Sequence, residues 1–523
     1  MNQFVQRNAS AVIGILSGFD RVLFRGTLQR LATAAGLQSF LCSTGVLLKD
    51  FGEHSEKATQ QVCQASEAVA RDAGRSVEYL QDASVRKDEH ARQIARRDGV
   101  DGGLICVLRA VESCYSFEIH RNRTAKRLEL RSTKRRCLHH YHYMFHPRLG
   151  FMHLRLQTWF PFNMSVCING REWLARQMDA AGLGYVRREN CFIDLQDVDR
   201  AQLLMDEQLR TNWKSLLNEV AAMANPALGQ MFGPSSRCPI DPYWSAQQSE
   251  WATDVMFKSA DGLARLYPQL IRQGMETLGS RDVLRFLGKK VPEGRNAPAR
   301  FVGEVLSDLK DRPEGMRLKH AVNGNSVKMY DKQGSVLRVE TTVSQTGDFK
   351  VFRGTEANPE DLKWRPLRKG VAALHRRAEV SQASNDRYLD AMAAVEQATP
   401  LKELARPLCA AVKSQGRRAR ALNPLSKEDM ALLAAVARGE FAMNGFRNRD
   451  IRGQLYATPT DDKAEARRRS AAIGRKLTLL RAHGLIKKVP KTHRYHVSDR
   501  GRLAITALLA ATEANASFLA KAA

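Results

Sequence analysis

Three stretches of this chain carry side chains whose types and spacing can do chemistry. Tyr243-Trp-Ser-Ala-Gln-Gln-Ser-Glu-Trp-Ala-Thr-Asp254 sets Glu250 and Asp254 beside Trp244 and Trp251. Carboxylates are ligands for hard divalent cations, and exposed aromatic rings stack on bases, although Trp and Tyr are more often half-buried structural residues. Cys137-Leu-His-His-Tyr-His142 sets His140 and His142 two residues apart, so in a strand they share a face, and His153 falls on the next strand. Asn325-Ser-Val-Lys-Met-Tyr-Asp-Lys332, followed by Leu337-Arg-Val-Glu340, sets Lys328, Tyr330 and Lys332 on one strand. Arg338 and Glu340 then share a face of the next strand. Histidines and a tyrosine in basic strands also serve simply to pack a sheet or to touch a nucleic-acid backbone.

The Asn325–Glu340 phrase resembles rolling-circle replication initiators of plasmids and filamentous phages, which carry a Tyr-Asp-Lys strand end before an Arg-aliphatic-Glu strand. The resemblance implies Tyr330 as a nucleophile on a DNA phosphate, with Lys328 or Lys332 stabilising charge. It further implies Mg²⁺ or Mn²⁺ on His140 and His142, with Glu340 or His153 completing the site. No Walker loop, no dinucleotide-binding Gly-x-Gly-x-x-Gly after a strand and no Gly-x-Ser-x-Gly elbow occurs, so ATP-driven and hydrolase readings lose most of their support.

The most regular pattern lies near the C-terminus. Ile473, Leu477 and Leu480 recur at helical spacing, and Arg475, Lys476 and Arg481 take the other faces. Gly484 suits the residue that ends the helix, Leu485–Val489 and Arg494–Val497 read as two strands joined by a turn, and Ser498-Asp499 can cap a last helix. Leu480-Arg-Ala-His-Gly-Leu-Ile486, with Arg494-Tyr495 and Ser498-Asp-Arg-Gly501, resembles the recognition helix and wing of bacterial winged helix-turn-helix regulators. The resemblance implies that Arg467, Arg468, Arg469, Arg475, Lys476 and Arg481 face nucleic acid, and that Lys487, Lys488, Lys491 and Arg494 supply wing contacts. The alternative is that the helix packs internally and its charges are only solvated.

Composition agrees with a polyanionic partner. The 523 residues carry a net charge of +27, and +15 of it falls between Leu401 and Ala523. No apolar run is long enough to span a bilayer, and the first residues lack a secretion signal, so no membrane partner and a cytoplasmic location are expected. The nine cysteines form no Cys-x-x-Cys pair and fit reduced thiols better than disulfides or zinc.

The elements that must position these residues read as α+β: an antiparallel-sheet body, a helical N-terminal part and a C-terminal winged helix. Phe19–Gly26 reads as a first strand carrying Asp20, Arg21 and Arg25. Cys137–Phe145 and Phe151–Asn169 read as strands joined at His146–Gly150, Tyr243–Phe257 as a strand, and Phe301–Leu309 as a helix. Four strands fill Gly315–Gly354, with hairpin signals at Asn323-Gly324 and Asp331–Gly334. Met144–Thr158 resembles Met329–Thr341, which suggests a duplicated unit presenting Arg155 and Gln157 on one copy and Arg338 and Glu340 on the other, with both arginines as nucleic-acid contacts. The expected boundaries are 1–100 helical, 101–225 and 226–355 as two α+β units, 356–424 a helical linker, 425–509 the winged helix and 510–523 a tail. The reading is a nucleic-acid-binding protein, DNA before RNA, tied to a mobile element or replication initiation. Its enzymatic form is a metal-dependent strand-nicking enzyme. A non-catalytic transcriptional regulator and an RNA-binding component of a ribonucleoprotein are the alternatives, and a homodimer is compatible with all three.

Overall fold

The computed structural model describes residues 3–82, 84–289, 303–313, 315–355, 357–393, 401–414, 416–441, 445–456, 458, 460–490 and 492–513. The class is α+β, with a large, mainly antiparallel sheet. In chain order the strands are β1 (Val12–Thr27), β2 (Ser76–Tyr79), β3 (Gly103–Asn122), β4 (Arg127–His146), β5 (Gly150–Gln157), β6 (Met164–Asn169), β7 (Tyr185–Arg188), β8 (Cys191–Leu195), β9 (Tyr243–Phe257), β10 (Val305–Lys310), β11 (Arg317–Val322), β12 (Asn325–Lys332) and β13 (Val336–Val343), with shorter strands after them. Two compact units emerge, one built from residues 1–13, 255–339 and 383–523, the other from 14–254 and 340–382. The partition is discontinuous because β1, β9, β13 and the Leu374–Met392 helix each pass from one unit to the other.

In the unit formed by 14–254 and 340–382 the strand order is β9-β1-β6-β5-β4-β3-β2. Strands β1, β6, β5, β4 and β3 pair antiparallel, and only the short β2 runs parallel to β3. Side chains alternate along each strand, so register sorts them between two faces. One cross-strand row reads Phe24, Val166, Leu154, His142, Val107, and every member is buried. This face meets the Phe51–Asp72, Trp213–Ala224 and Pro226–Phe232 helices, with Phe24 against Trp213 and Phe162 against Phe232. The adjacent row reads Leu23, Cys167, His153, Tyr143, Cys106 and belongs to the other face. There the Lys87–Arg97 helix covers β3 and β4 through Ala91, Ile94 and Ala95, while Leu23, Cys167 and His153 remain half-buried. The Phe151–Asn169 stretch is two strands, not one bent strand: a turn containing the cis Phe160-Pro161 bond separates β5 from β6.

In the unit formed by 1–13, 255–339 and 383–523, β10, β11 and β12 pair antiparallel in sequence and β13 follows β12. Asn323 and Gly324 both take positive φ (50° and 77°), the conformation a two-residue hairpin requires, and Gln333 and Gly334 repeat it before β13. Both segments that read as repeated hairpins are hairpins, β4–β5 and β12–β13. The expected helix at Phe301–Leu309 is replaced by β10, whose residues 305–310 pair with β11 from Val305↔Val322 to Lys310↔Arg317. Pairing to a neighbouring strand there overrides a weak local helical pattern. The unit ends in the Lys427–Ala437 helix, a short strand Phe446–Arg447, the helices Asn448–Leu455 and Lys463–Ala482, strands Ile486–Lys488 and Arg494–Val497, and the Asp499–Glu513 helix. Phe446–Arg447 pairs with Arg494–Val497, which pairs with Ile486–Lys488. Ile473, Leu477 and Leu480 join Leu432, Phe446 and Ile505 in one apolar core, and Gly484 takes φ 71° just past the helix end.

One glycine fixes the geometry of the sheet around β1. Asn169 ends β6 opposite Arg21 and caps the Gly170–Ala181 helix by accepting from the backbone N–H groups of Arg171 and Glu172. A Cβ on Gly170 would overlap the carbonyl of Phe19. Gly170→Ala should therefore cost roughly 2–3 kcal/mol or more, because the obstruction is backbone and cannot swing aside. Urea unfolding measures this, and an unchanged midpoint would show that the helix does not abut β1.

Candidate functional site

The helix that begins at Gly170 delivers Arg171 to Asp20 on β1. Arg171 is fully buried; its Nη2 donates to Asp254 Oδ2 at 2.8 Å and its Nε lies 3.6 Å from Asp20 Oδ1. Asn190 Nδ2 reaches both oxygens of Asp20 at 2.9 Å. On the neighbouring residue, Arg21 donates from Nε to Glu250 Oε2 at 3.1 Å and from Nη2 to Gln248 Oε1 at 2.9 Å. Burial works against the charge on Arg21, but Glu250 beside it outweighs that effect and the guanidinium holds its proton more tightly than usual. Glu340, in the middle of β13, completes the group: Asp20, Glu250 and Glu340 each offer an oxygen within 4.8 Å of the others. Asp20 is 6 % exposed and Glu340 3 %. Among the described residues this is the one group of three or more His, Cys, Asp or Glu side chains gathered closely enough to hold a metal ion.

The residues implicated by resemblance to rolling-circle initiators fall elsewhere, Glu340 excepted. His140 and His142 face the core, where Ser66 bridges them at 2.9 and 3.1 Å and also accepts from Asn225 at 2.9 Å. His153 lies opposite Tyr143 in the β4–β5 register and so belongs to the other face of the sheet, beside Asp88 at 3.5 Å. The three histidines therefore do not converge on one ion, and strand alternation is the reason. Tyr330 and Lys328 lie on β12, both mostly buried, in the unit that does not contain the histidines. Lys332 Nζ lies 5.0 Å from the Tyr330 ring centre. Lys328 stands opposite Lys319, whose ammonium is depressed by burial first and by Lys328 second.

The two arginines expected on a nucleic-acid platform are engaged internally or buried. Arg155 donates to Glu112 at 3.0 and 2.8 Å and to the Tyr141 hydroxyl at 3.0 Å. Burial raises the Glu112 carboxyl, but hydrogen bonds from Tyr141 and Arg155 overcome it and bring the pKa down to about 2. Arg338 is 1 % exposed, too deep to meet a polyanion at the surface. The C-terminal charges divide differently. Arg467, Arg468, Arg475 and Arg481 on the Lys463–Ala482 helix and Lys487 and Lys488 after it are exposed. Arg468 and Arg469 both bond Glu465, Arg469 also bonds Thr458 O, and Lys476 pairs with Glu428 at 2.7 Å. Arg494 is half-buried between its strand neighbours, and Lys491 lies outside the described residues.

No family model, curated protein or solved structure matches the chain.

Sequence reasoning had marked Glu250 as a metal ligand, but with Asp254, which binds Arg171 instead. It had marked Glu340 with the histidines. Asp20 and Arg171 were missed as site residues. The available signals were an acid inside the apolar run Gly18-Phe-Asp-Arg-Val-Leu-Phe24 and the Asn169-Gly170 cap that begins a helix with an arginine.

The buried histidines have a measurable consequence. Burial lowers His139 to about 4, His140 to about 3 and His142 to about 4. Their folded pKa values lie below the unfolded value, so the unfolded chain takes up protons first. The stability contribution is complete above the unfolded pKa near 6.5 and is lost as pH falls towards the folded values. Between pH 7 and pH 5 the loss is at most roughly 2 kcal/mol per ring. Urea midpoints should fall over that interval, and a pH-independent midpoint would mean that the rings are solvated.

Proposed function

We propose that the protein binds duplex nucleic acid, DNA before RNA, through its C-terminal region acting as a winged helix. One observation carries the reading. The Lys463–Ala482 helix buries Ile473, Leu477 and Leu480 in a core and turns Arg467, Arg468, Arg475 and Arg481 outward, and Lys487 and Lys488 follow on the first strand of a hairpin. A helix held by its apolar stripe and followed by a basic hairpin suits the major groove and the adjacent backbone. Arg468 and Arg469 share Glu465 and Lys476 pairs with Glu428, so Arg467, Arg475 and Arg481 are the primary helix contacts. Arg475→Ala with Arg481→Ala should weaken duplex binding and reduce the salt slope by roughly 2, since each phosphate contact contributes about 0.9. Filter binding at several salt concentrations tests this, and unchanged affinity with an unchanged slope overturns it.

A second contact, to single strands or RNA, is favoured by a different surface. Phe352 and Trp364 stand opposite each other on a two-stranded ribbon, Lys350–Arg353 with Lys363–Pro366. Their rings are 5.6 Å apart and 53 % and 64 % exposed, with Lys350 and Lys363 alongside. Exposed aromatics among cations are stacking platforms for unpaired bases, each worth about 1–3 kcal/mol. Phe352→Ala with Trp364→Ala should lower affinity for an unstructured oligonucleotide at least tenfold and leave duplex binding unchanged, as fluorescence anisotropy would report. Equal loss for both ligands would count against this second contact.

A further inference from the structure

We propose that the outer end of the β3–β4 ribbon is a second DNA contact, one that enters the major groove of a duplex. The ligand class rests on the reading above, but the residues are different and belong to the other unit. β5 pairs with β4 only between His139 and His146, and β2 with β3 only between Cys106 and Arg109. From Val111↔Leu138 to Asn122↔Arg127, among the described strands, the two pair with each other alone. The ribbon is anchored on its way out. Ser116 Oγ donates to Phe160 O at 2.8 Å, and Gln157 Nε2 donates to Tyr115 O at 3.2 Å. Phe117 and Leu130 are buried. Past Leu130 come three more residue pairs and the turn 123–126. At about 3.3 Å per residue those pairs extend roughly 10 Å, enough for a major groove about 8.5 Å deep. The turn is braced from within: Asn122 Oδ1 accepts from the Ala125 N–H at 2.9 Å, and Asn122 Nδ2 donates to Glu129 at 2.8 Å. A braced turn loses little conformational freedom on binding.

Charge selects the partner. Residues 111–138 carry eight Lys and Arg against three Glu, and all eight cations are exposed. Glu129 engages Arg127 and Arg131, and Arg135 lies over the Trp159 ring at 4.5 Å. Arg121, Arg123 and Lys126, at the end of the ribbon, make no ion pair among the described residues. Three cations are therefore available at the tip for phosphates and guanine edges, a surplus that a polyanion satisfies. Shape selects the form of nucleic acid. A two-stranded ribbon fits the B-form major groove, about 12 Å wide, whereas the major groove of duplex RNA is too narrow for side chains to read.

The experiment measures binding of the full chain to a short DNA duplex, and to the RNA duplex of the same sequence, by fluorescence anisotropy over a salt series. Arg121→Gln with Arg123→Gln and Lys126→Asn neutralises the tip, and Asn suits the left-handed backbone at position 126, φ 48°. This variant should bind DNA at least tenfold more weakly, with a salt slope lower by roughly 2–3, since each lost phosphate contact removes about 0.9. Its binding to the RNA duplex should be unchanged. Arg200→Gln with Arg210→Gln and Lys214→Gln removes the same charge from exposed helix positions and should leave DNA binding unchanged. Unchanged affinity and slope in the tip variant overturn the proposal. An equal loss in the helix variant, or on the RNA duplex, overturns it too, because the cations would then act only as a diffuse surface. The Arg475→Ala, Arg481→Ala variant in the same titration separates this contact from the C-terminal one. If that pair changes nothing while the tip variant weakens binding, the winged-helix reading fails and the ribbon stands; if only that pair weakens binding, the ribbon fails. Should the triple variant fail to fold, Arg123→Gln alone decides, with a slope change of about 0.9 expected.

Discussion

The buried guanidinium of Arg171 is the constraint around which the larger unit is arranged. A charge at full burial is tolerated only against opposite charge at close range, and Asp254 at 2.8 Å and Asp20 at 3.6 Å provide it. Removing one partner of such a set typically costs about 3–5 kcal/mol, because the remainder is stranded without water. Reaching that position requires the Gly170–Ala181 helix to start against the backbone of β1, which only a residue without a Cβ allows. The cap by Asn169, the glycine at 170 and the arginine at 171 therefore act together. The first ends β6 and starts the helix, the second permits the approach, and the third uses it to lock β1 to β9 through Asp20 and Asp254.

The same sheet separates two kinds of polar chemistry by alternation alone. His140 and His142 point into the helix-covered face, where Ser66, itself held by Asn225, bonds both rings and burial keeps them neutral. One residue out of phase, Tyr141 and Tyr143 point to the other face and bond Glu112 and Asp88 at 2.6 Å each. A ring of charged and phenolic groups thus lies on one side of β4 and a dry histidine network on the other. That division explains why a strand containing four histidines does not make a metal site. His140 and His142 are held by Ser66 on the buried face, His139 turns to its own strand at Cys137 O, and His146 Nδ1 accepts from the backbone N–H groups of Arg148 and Leu149.

Local pattern made the C-terminal region readable. The apolar stripe, the residue ending the helix and the two strands were all expressed within a short span, and each appears where the sequence puts it. The hairpin turn at Asn323-Gly324 was readable for the same reason, since the turn chemistry is carried by the two residues themselves. The acidic group was only partly readable. Glu250 and Glu340 stood out as candidate ligands, but Asp20, the acid beside them, lies more than two hundred residues away in sequence, and pairing among β13, β9 and β1 brings them together. Register between distant strands is set by the burial of whole faces and has no local signature. The expectation of a helix at Phe301–Leu309 failed from the same cause: β10 is a strand because β11 is there to receive it.

Charge ties these observations into one argument. A chain of net +27 has little electrostatic reason to crowd acids, because dispersing them among its cations would cost less. Elsewhere its carboxylates are dispersed in that way: Glu465 lies between Arg468 and Arg469, Asp429 against Arg420, and Glu112 against Arg155 and Lys87. Asp20, Glu250 and Glu340 stand closer to one another than these do, although cations flank them too: Arg171 lies 3.6 Å from Asp20 and Arg21 bonds Glu250. They are drawn together on strands, where side-chain direction is imposed by the backbone, and two are nearly removed from water, where mutual repulsion is least screened. Arg21 and Arg171 offset part of that repulsion from the flanks.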